Sequence, residues 1–153
     1  MKGSDIQAVL EWPIPTCAKE VQRFLGLANY HRSFVKSFAD IAEPLFRVEG
    51  KNGFTWGVEQ QNAFEELKHA LTHPPVLALP NQSDDIIVDT DASNLAIGGE
   101  LIQVQDGEEK VIAYGSYAVT PEQRRYCVTR KELLAVVRFC RQYRYYLLGR
   151  PFV

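Results

Sequence analysis

Apolar residues recur three and four apart at Val21, Phe24, Leu25 and Ala28, the spacing that lays one face of a helix against a core. Upstream, Ile6, Val9 and Leu10 mark a shorter helix that Ser4 can cap and that Pro13 and Pro15 end; Thr16 can start the next one. A second helical set follows at Phe34, Phe38, Ile41 and Leu45, with Pro44 near its end. Together these predict a small helical unit. Glu49 to Gly53 is a polar break, and the short FTW run after it is extended. The spacing of Ala63, Phe64, Leu67 and Leu71 predicts a helix from about Gly57 to Leu71, with Gly57 at its N-cap. The stretch His73 to Pro80, HPPVLALP, holds three prolines and reads as an extended connector.

From Asp85 the period shortens to two. DIIVDTD, AIGGELIQV and KVIAYGSYAV predict three strands, the last two joined through QDGEE, and short connections in succession predict an antiparallel meander. TPEQRRYCV then leads into a long helix from Arg130 to about Leu147, ended by Gly149. RPFV opens a further extended run where the chain stops, which predicts a longer parent. The fold class is α/β.

Composition changes this picture in two places. Hydrophobic residues make up 46% and charged residues 24%, enough for a core and ordinary for a globular chain. No run of about 18 apolar residues exists to span a membrane, and no secretory signal opens the chain, which predicts an intracellular protein whose compartment stays open. The three cysteines, Cys17, Cys127 and Cys140, form no CxxC pair and read as small core residues in a reducing compartment. The formal net charge of −2 hides an asymmetry. From Pro121 onward eight Arg or Lys face only Glu122 and Glu132, a net of +6, whereas the first 120 residues carry −8. Arg124, Arg125, Arg138, Arg141 and Arg144 are candidate contacts to a polyanion, the last three recurring every third residue of the predicted helix.

Chemistry enters at the end of the first strand. Ile86, Val88 and Thr90 share one face; Ile87, Asp89 and Asp91 share the other, which therefore turns acidic at its C-terminal end. Carboxylates in a half-buried strand call for compensation, and a hard cation such as Mg²⁺ or Mn²⁺ supplies it. Glu132, at the start of the long helix, is the second candidate. It has a competing role, because Thr129-Arg-Lys-Glu132 fits a capping box. His69 and His73, four apart, are a possible metal pair without an evident third ligand. Asp89-Thr-Asp-Ala also resembles the Asp-Thr-Gly-Ala of retroviral aspartic proteases, but Asp91 occupies the position where that turn needs glycine.

VQRFLGLANYHRSFV, FADIAEPLF, FTWGVEQQNAFEELKHALTHPPVLALP, VDTDAS, IAYGSYAV and TRKELLAVV, in unbroken order, resemble the polyprotein of gypsy-like LTR retrotransposons, from the reverse transcriptase thumb through the connection into the RNase H domain. The resemblance implies a helical thumb-like segment at 1–50, a connection helix and linker at 51–82, and a partial RNase H-like domain at 83–153. It implies a parent that performs RNA-directed DNA polymerisation and two-metal hydrolysis of RNA in RNA–DNA hybrids, with Asp91 on the TDAS aspartate and Glu132 on the KELLAVV glutamate as catalytic and Mg²⁺- or Mn²⁺-binding residues. Asp89 falls on a variable position. The implied partners are an RNA–DNA hybrid or duplex nucleic acid and the rest of the polyprotein, with no membrane. The family's remaining RNase H aspartates fall beyond Val153 and the polymerase aspartates before Met1, so this chain alone is expected to be inactive; the alternative is a non-catalytic relic or a domesticated nucleic-acid- or protein-binding module. Within the matched motifs, Glu100 stands where an apolar residue is usual, Ala96 where Gly is, Tyr117 where Arg is, and His31 and Ser33 where Tyr and Arg are.

Overall fold

The computed structural model describes residues 3–48 and 53–153, with side chains from Ile6 onward. Four helices come first: α1 (Gly3–Leu10), α2 (Ala18–Tyr30), α3 (Phe38–Val48) and α4 (Val58–Thr72). Strands β1 (Ile86–Ala92), β2 (Ala96–Gln105) and β3 (Glu108–Ala118) follow, then α5 (Val128–Gln142) and the short α6 (Arg144–Leu147). The cap expected of Ser4 and the break expected at 49–52 lie outside the described side chains and residues.

Helices α1 to α4 close around one core in which Val9, Val21, Phe24, Leu45, Phe64 and Leu67 are fully buried. Phe24 and Phe64 meet at 4.7 Å between ring centroids, tilted by 58°. Each such ring contributes about 1.5–3 kcal/mol by leaving water. Glu20 closes the start of α2 by accepting from the Thr16 amide (2.7 Å) and hydroxyl (3.0 Å), which holds its carboxyl below the usual range. Gly57 is the N-cap of α4 as its position predicts, and its amide donates to Gln60 Oε1 at 3.0 Å. Phe34 does not join α3. It sits in a separate 3₁₀ turn, Arg32–Phe34, because Ser37 adopts a φ of +54° and breaks the helix between them. Pro44 lies inside α3, not near its end.

The sheet is the antiparallel meander that the alternation predicts, in the order β1-β2-β3. Asp106 (φ +56°) and Gly107 (φ +80°) form the tight turn between β2 and β3, the pair of left-handed residues that a two-residue hairpin favours. The connector crosses the sheet and is tied to it by Gln103. This fully buried amide accepts from the Asn81 amide at 2.9 Å and donates to the carbonyls of Asn81 and Asp84. Ile86, Val88 and Ala92 of β1, with Ile97 and Leu101 of β2, face α5, whose Ala135 and Phe139 are fully buried against them. The opposite face meets α3. The molecule is thus layered as helical unit, sheet, α5.

The long helix expected to reach Leu147 stops at Gln142. Tyr143 turns inward, 2% exposed, and its hydroxyl donates to the Gly99 carbonyl at 3.2 Å; the chain restarts as α6. Burial pushes that hydroxyl's pKa up. Of the three cysteines only Cys140 packs against a core. Cys17 and Cys127 are exposed at the N-caps of α2 and α5, and Cys140 is half-buried. No described helix is long and apolar enough to cross a membrane.

Candidate carboxylate site and nucleic-acid interface

Register fixes where the carboxylates point. Thr90 pairs with Gly99, and a Cβ on Gly99 would lie 2.4 Å from the Phe139 ring, so that face belongs to α5. Asp91 pairs with Gly98, and Gly98 with Ser116, whose hydroxyl accepts from the Ala39 amide of α3 at 2.9 Å. Asp89 and Asp91 therefore face the helical unit. They line a cavity of about 390 Å³ together with Asp40, Glu100, Lys36 and Tyr114. Ser93, the last residue of TDAS, donates to Asp40 Oδ1 at 2.7 Å, and Lys36 pairs with Glu100 at 2.7 Å. The hydrogen bond to Glu100 raises the Lys36 pKa, and burial raises that of Tyr114. Four carboxylates against one ion-paired lysine make this cleft strongly negative, so a phosphate backbone approaches it only beside a compensating cation.

Glu132 is exposed on α5, on the other side of the sheet. Its capping role is overturned. Helix α5 begins at Val128 with Cys127 as N-cap, so Thr129 lies inside the helix. A reciprocal pair of the same kind forms nine residues earlier, where the Thr120 amide donates to Gln123 Oε1 (2.9 Å) and the Gln123 amide to Thr120 Oγ1 (3.3 Å). The two candidate acids do share one end of the layer: Lys131, next to Glu132, donates to Asn94 Oδ1 at 2.8 Å, in the turn that follows Asp91 and β1. Among the described residues, however, no hydrogen bond links Asp91 to Glu132, and no three His, Cys, Asp or Glu side chains are arranged to hold a metal ion. The donor set present does not fit a pair of Mg²⁺ or Mn²⁺ ions. His69 and His73 stack on each other at 4.4 Å, exposed, with His73 Nδ1 beside the His69 carbonyl.

The arginines occupy a different surface. Arg138 and Arg141 on α5, Arg144 on α6, and Arg124 and Arg125 in the 3₁₀ turn Gln123–Arg125 are all exposed. Arg138 lies over the Tyr117 ring at 3.9 Å and Arg130 over Tyr126 at 4.0 Å, which orients their guanidinium groups without neutralising them. Arg124 is 3.9 Å from Glu43 and so is partly compensated. Lys131 is 5% exposed and withdrawn from this surface. The break at Tyr143 takes Arg144 off the helix that carries Arg138 and Arg141.

Arg32, absent from the sequence-level candidates, ties the layers together. Its guanidinium packs over Phe38 (5.8 Å) and Tyr117 (4.7 Å) and donates to the Ser116 carbonyl. The departures at Glu100 and Tyr117 thereby acquire partners, Lys36 and Arg32, in the helical unit. No local pattern signals these pairs, because Arg32 and Ser116 are 84 residues apart.

Similarity to known proteins follows the same layering. The family described as an RNase H-like domain found in reverse transcriptase matches residues 56–153. The retrovirus-related Pol polyprotein from transposon 297 of Drosophila melanogaster is 39% identical over 150 residues, which is 97% of this chain and 14% of the relative. That from transposon 412 is 35% identical over 94% of this chain and 12% of its own length. The transposon Tf2-3 polyprotein of Schizosaccharomyces pombe is 34% identical over 94% and 11%. The chain therefore spans 14% or less of these relatives. Among solved structures, the foamy viral protease-reverse transcriptase in complex with an RNA/DNA hybrid superposes with a TM-score of 0.82 at 26% identity, covering 99% of this chain and 21% of that one. The same enzyme in complex with dsDNA gives 0.81 at 25%, covering 99% and 32%. The chain belongs to the reverse transcriptase RNase H-like family and corresponds to a segment of a retrotransposon Pol polyprotein.

Proposed function

We propose that this chain is a nucleic-acid-holding part of a retroelement reverse transcriptase, in which residues 1–50 act as thumb, 51–82 as connection and 83–153 as an RNase H-like domain. In the longer protein it works on RNA–DNA hybrids beside the rest of the polyprotein. The observation that carries the reading is the exposed arginine surface of α5 and its flanks, on the side of the sheet away from the acidic cleft. Arg138, Arg141 and Arg144, with Arg125, meet phosphates there, and Arg124, beside Glu43 of α3, stands at the edge of that surface. Recognition runs through backbone and shape, not base sequence. The solved relatives bound to RNA/DNA hybrid and to dsDNA support the same partner class.

Asp91 and Glu132 are the carboxylates this chain contributes to hydrolysis of the RNA strand, a reaction that in this family draws on a divalent metal. A second reading, a binding module without catalysis, is favoured by one observation: Asp91 faces the helical unit and Glu132 lies on α5 across the sheet, and among the described residues no third ligand joins them. Both readings agree that the isolated chain binds and does not cleave.

The test is a salt titration of binding to a labelled hybrid. Removing one cation that neutralises a phosphate lowers the slope of log K against log salt by about 0.9. Arg138→Gln, Arg141→Gln and Arg144→Gln together are expected to flatten the slope by about 2–3. A slope near zero in the unaltered chain, or one unchanged in the triple variant, overturns the reading.

A further inference from the structure

Two cavities on this sheet differ in kind. The one beside Asp91 is lined by four carboxylates. The other, about 490 Å³, lies between the connector and α6 and has no carboxylate in its lining. Asn81 and Gln82 supply amides on one wall, Tyr145 and Tyr146 supply rings on the other, and Arg150 supplies a cation. Resting on the reading above, we propose that this cavity receives an unpaired nucleobase of single-stranded nucleic acid, stacked on Tyr145 or Tyr146, with its phosphates drawn toward Arg144 and Arg150.

Four features carry the assignment. Tyr145 is 85% exposed and Tyr146 40%, although both are large rings that a folded chain gains by covering. The short α6 is held from beneath by buried Tyr143 and Leu147, so the rings stand on a fixed platform. Arg144 lies over one face of the Tyr145 ring at 5.6 Å, and the ring, 85% exposed, offers its other face to a base. Arg150 donates to the carbonyls of Asn81 (2.9 Å) and Asp84, which fixes its plane, and forms no ion pair among the described residues, so its charge stays open to a phosphate. An aromatic surface flanked by cations is what sequence-tolerant binding of single strands requires, because every base has a face to stack. Asn81 and Gln82 add amide donors and acceptors at the cavity wall. The volume falls within the range of about 300–1,000 Å³ typical of small-ligand pockets. Stacking on these rings needs an unpaired base, so the site distinguishes single strands from the duplex that the α5 arginines hold.

The experiment compares a labelled oligothymidylate with a blunt RNA–DNA hybrid, using the full chain and the variants Tyr145→Ala, Tyr146→Ala and Tyr145→Phe. Loss of one stacked base weakens single-strand binding about tenfold. The expected result is that loss in at least one alanine variant, retention in Tyr145→Phe, and hybrid binding unchanged throughout. An oligothymidylate carrying a 5-iodouracil should photocrosslink to Tyr145 or Tyr146. Single-strand binding within twofold of the unaltered chain in both alanine variants, equal weakening toward the hybrid, or crosslinks confined to other surfaces each overturn the proposal. Intact hybrid binding beside a failed single-strand result removes this site alone; loss of both in the unaltered chain removes the nucleic-acid reading as well.

Discussion

Replacing Gly99 by alanine tests the contact that seats α5 on the sheet. A Cβ there would fall 2.4 Å from Phe139 Cγ and 2.5 Å and 2.7 Å from the adjoining ring carbons. The ring has nowhere to move. It rests on both glycines at once, since Gly115 pairs with Gly99 and an added Cβ there would also be 2.4 Å from the ring, and it stacks on Tyr143 with centroids 6.0 Å apart. Phe139 is fully buried, so the strain passes into strand and helix backbone. Overpacking of this kind costs about 1–3 kcal/mol, and the pinned ring places Gly99→Ala toward the upper figure. For a chain of this size about 2–4 °C of Tm follows each kcal/mol, so a fall of roughly 6–10 °C is expected. Gly98→Ala is the control. Nothing lies within 4 Å of its Cβ, and a change within about 0.5 kcal/mol is expected. Urea melts of both variants give the comparison at constant m. Adding Phe139→Leu to Gly99→Ala should cost less than the two single changes added together, because the smaller side chain relieves the clash. Equal stability of the two glycine variants, or strict additivity of the pair, would refute the packing argument.

Two further outcomes follow from single contacts. Tyr117→Leu keeps apolar bulk but removes the ring that Arg32 and Arg138 cover at 4.7 and 3.9 Å; a double-mutant cycle with Arg32→Gln should return a coupling of about 0.5–1 kcal/mol, and a coupling of zero would mean the contact does not hold the helical unit to the sheet. Glu20 and Glu122 both have lowered pKa values, from hydrogen bonds to Thr16 and to Thr120, so their stabilisation is present above the ordinary carboxylate range and is lost as pH falls through the lowered values; Glu20→Gln should destabilise near neutrality and converge with the unaltered chain in acid, and a difference that persists in acid would contradict the assignment.

The alternation in DIIVDTD and AIGGELIQV was enough to read the meander and the acidic face, because a two-residue period admits one assignment of sides when one side is buried. Helix α4 was equally legible from Phe64, Leu67 and Leu71. The errors sit where tertiary contacts overrule local pattern. Helical periodicity through RFCRQYRYYLL gave no hint that Tyr143 would turn inward to reach the Gly99 carbonyl. Thr129 and Glu132 have capping-box spacing, yet α5 starts at Val128, after extended Cys127, so Thr129 is already helical. Counting charges overstated the basic surface, since Lys131 is buried on Asn94 and Arg124 lies near Glu43. Alternation put Asp89 and Asp91 on one face and the resemblance singled out Asp91 with Glu132, but the spacing carried no information on which side of the sheet α5 packs. That choice follows from Gly99 and Gly115, the two positions that leave room for Phe139.

The central claim is that this chain holds nucleic acid without completing a cleavage site. Incubation of the purified chain with a labelled RNA–DNA hybrid and Mg²⁺ or Mn²⁺, beside an Asp91→Asn variant, tests it directly. Losing positioned charge costs about 10²–10³ in rate per group, so the account predicts bound but intact RNA in both samples. Metal-dependent cleavage by the unaltered chain that disappears in Asp91→Asn would contradict it, and Asp89 would then be the first further acid to replace.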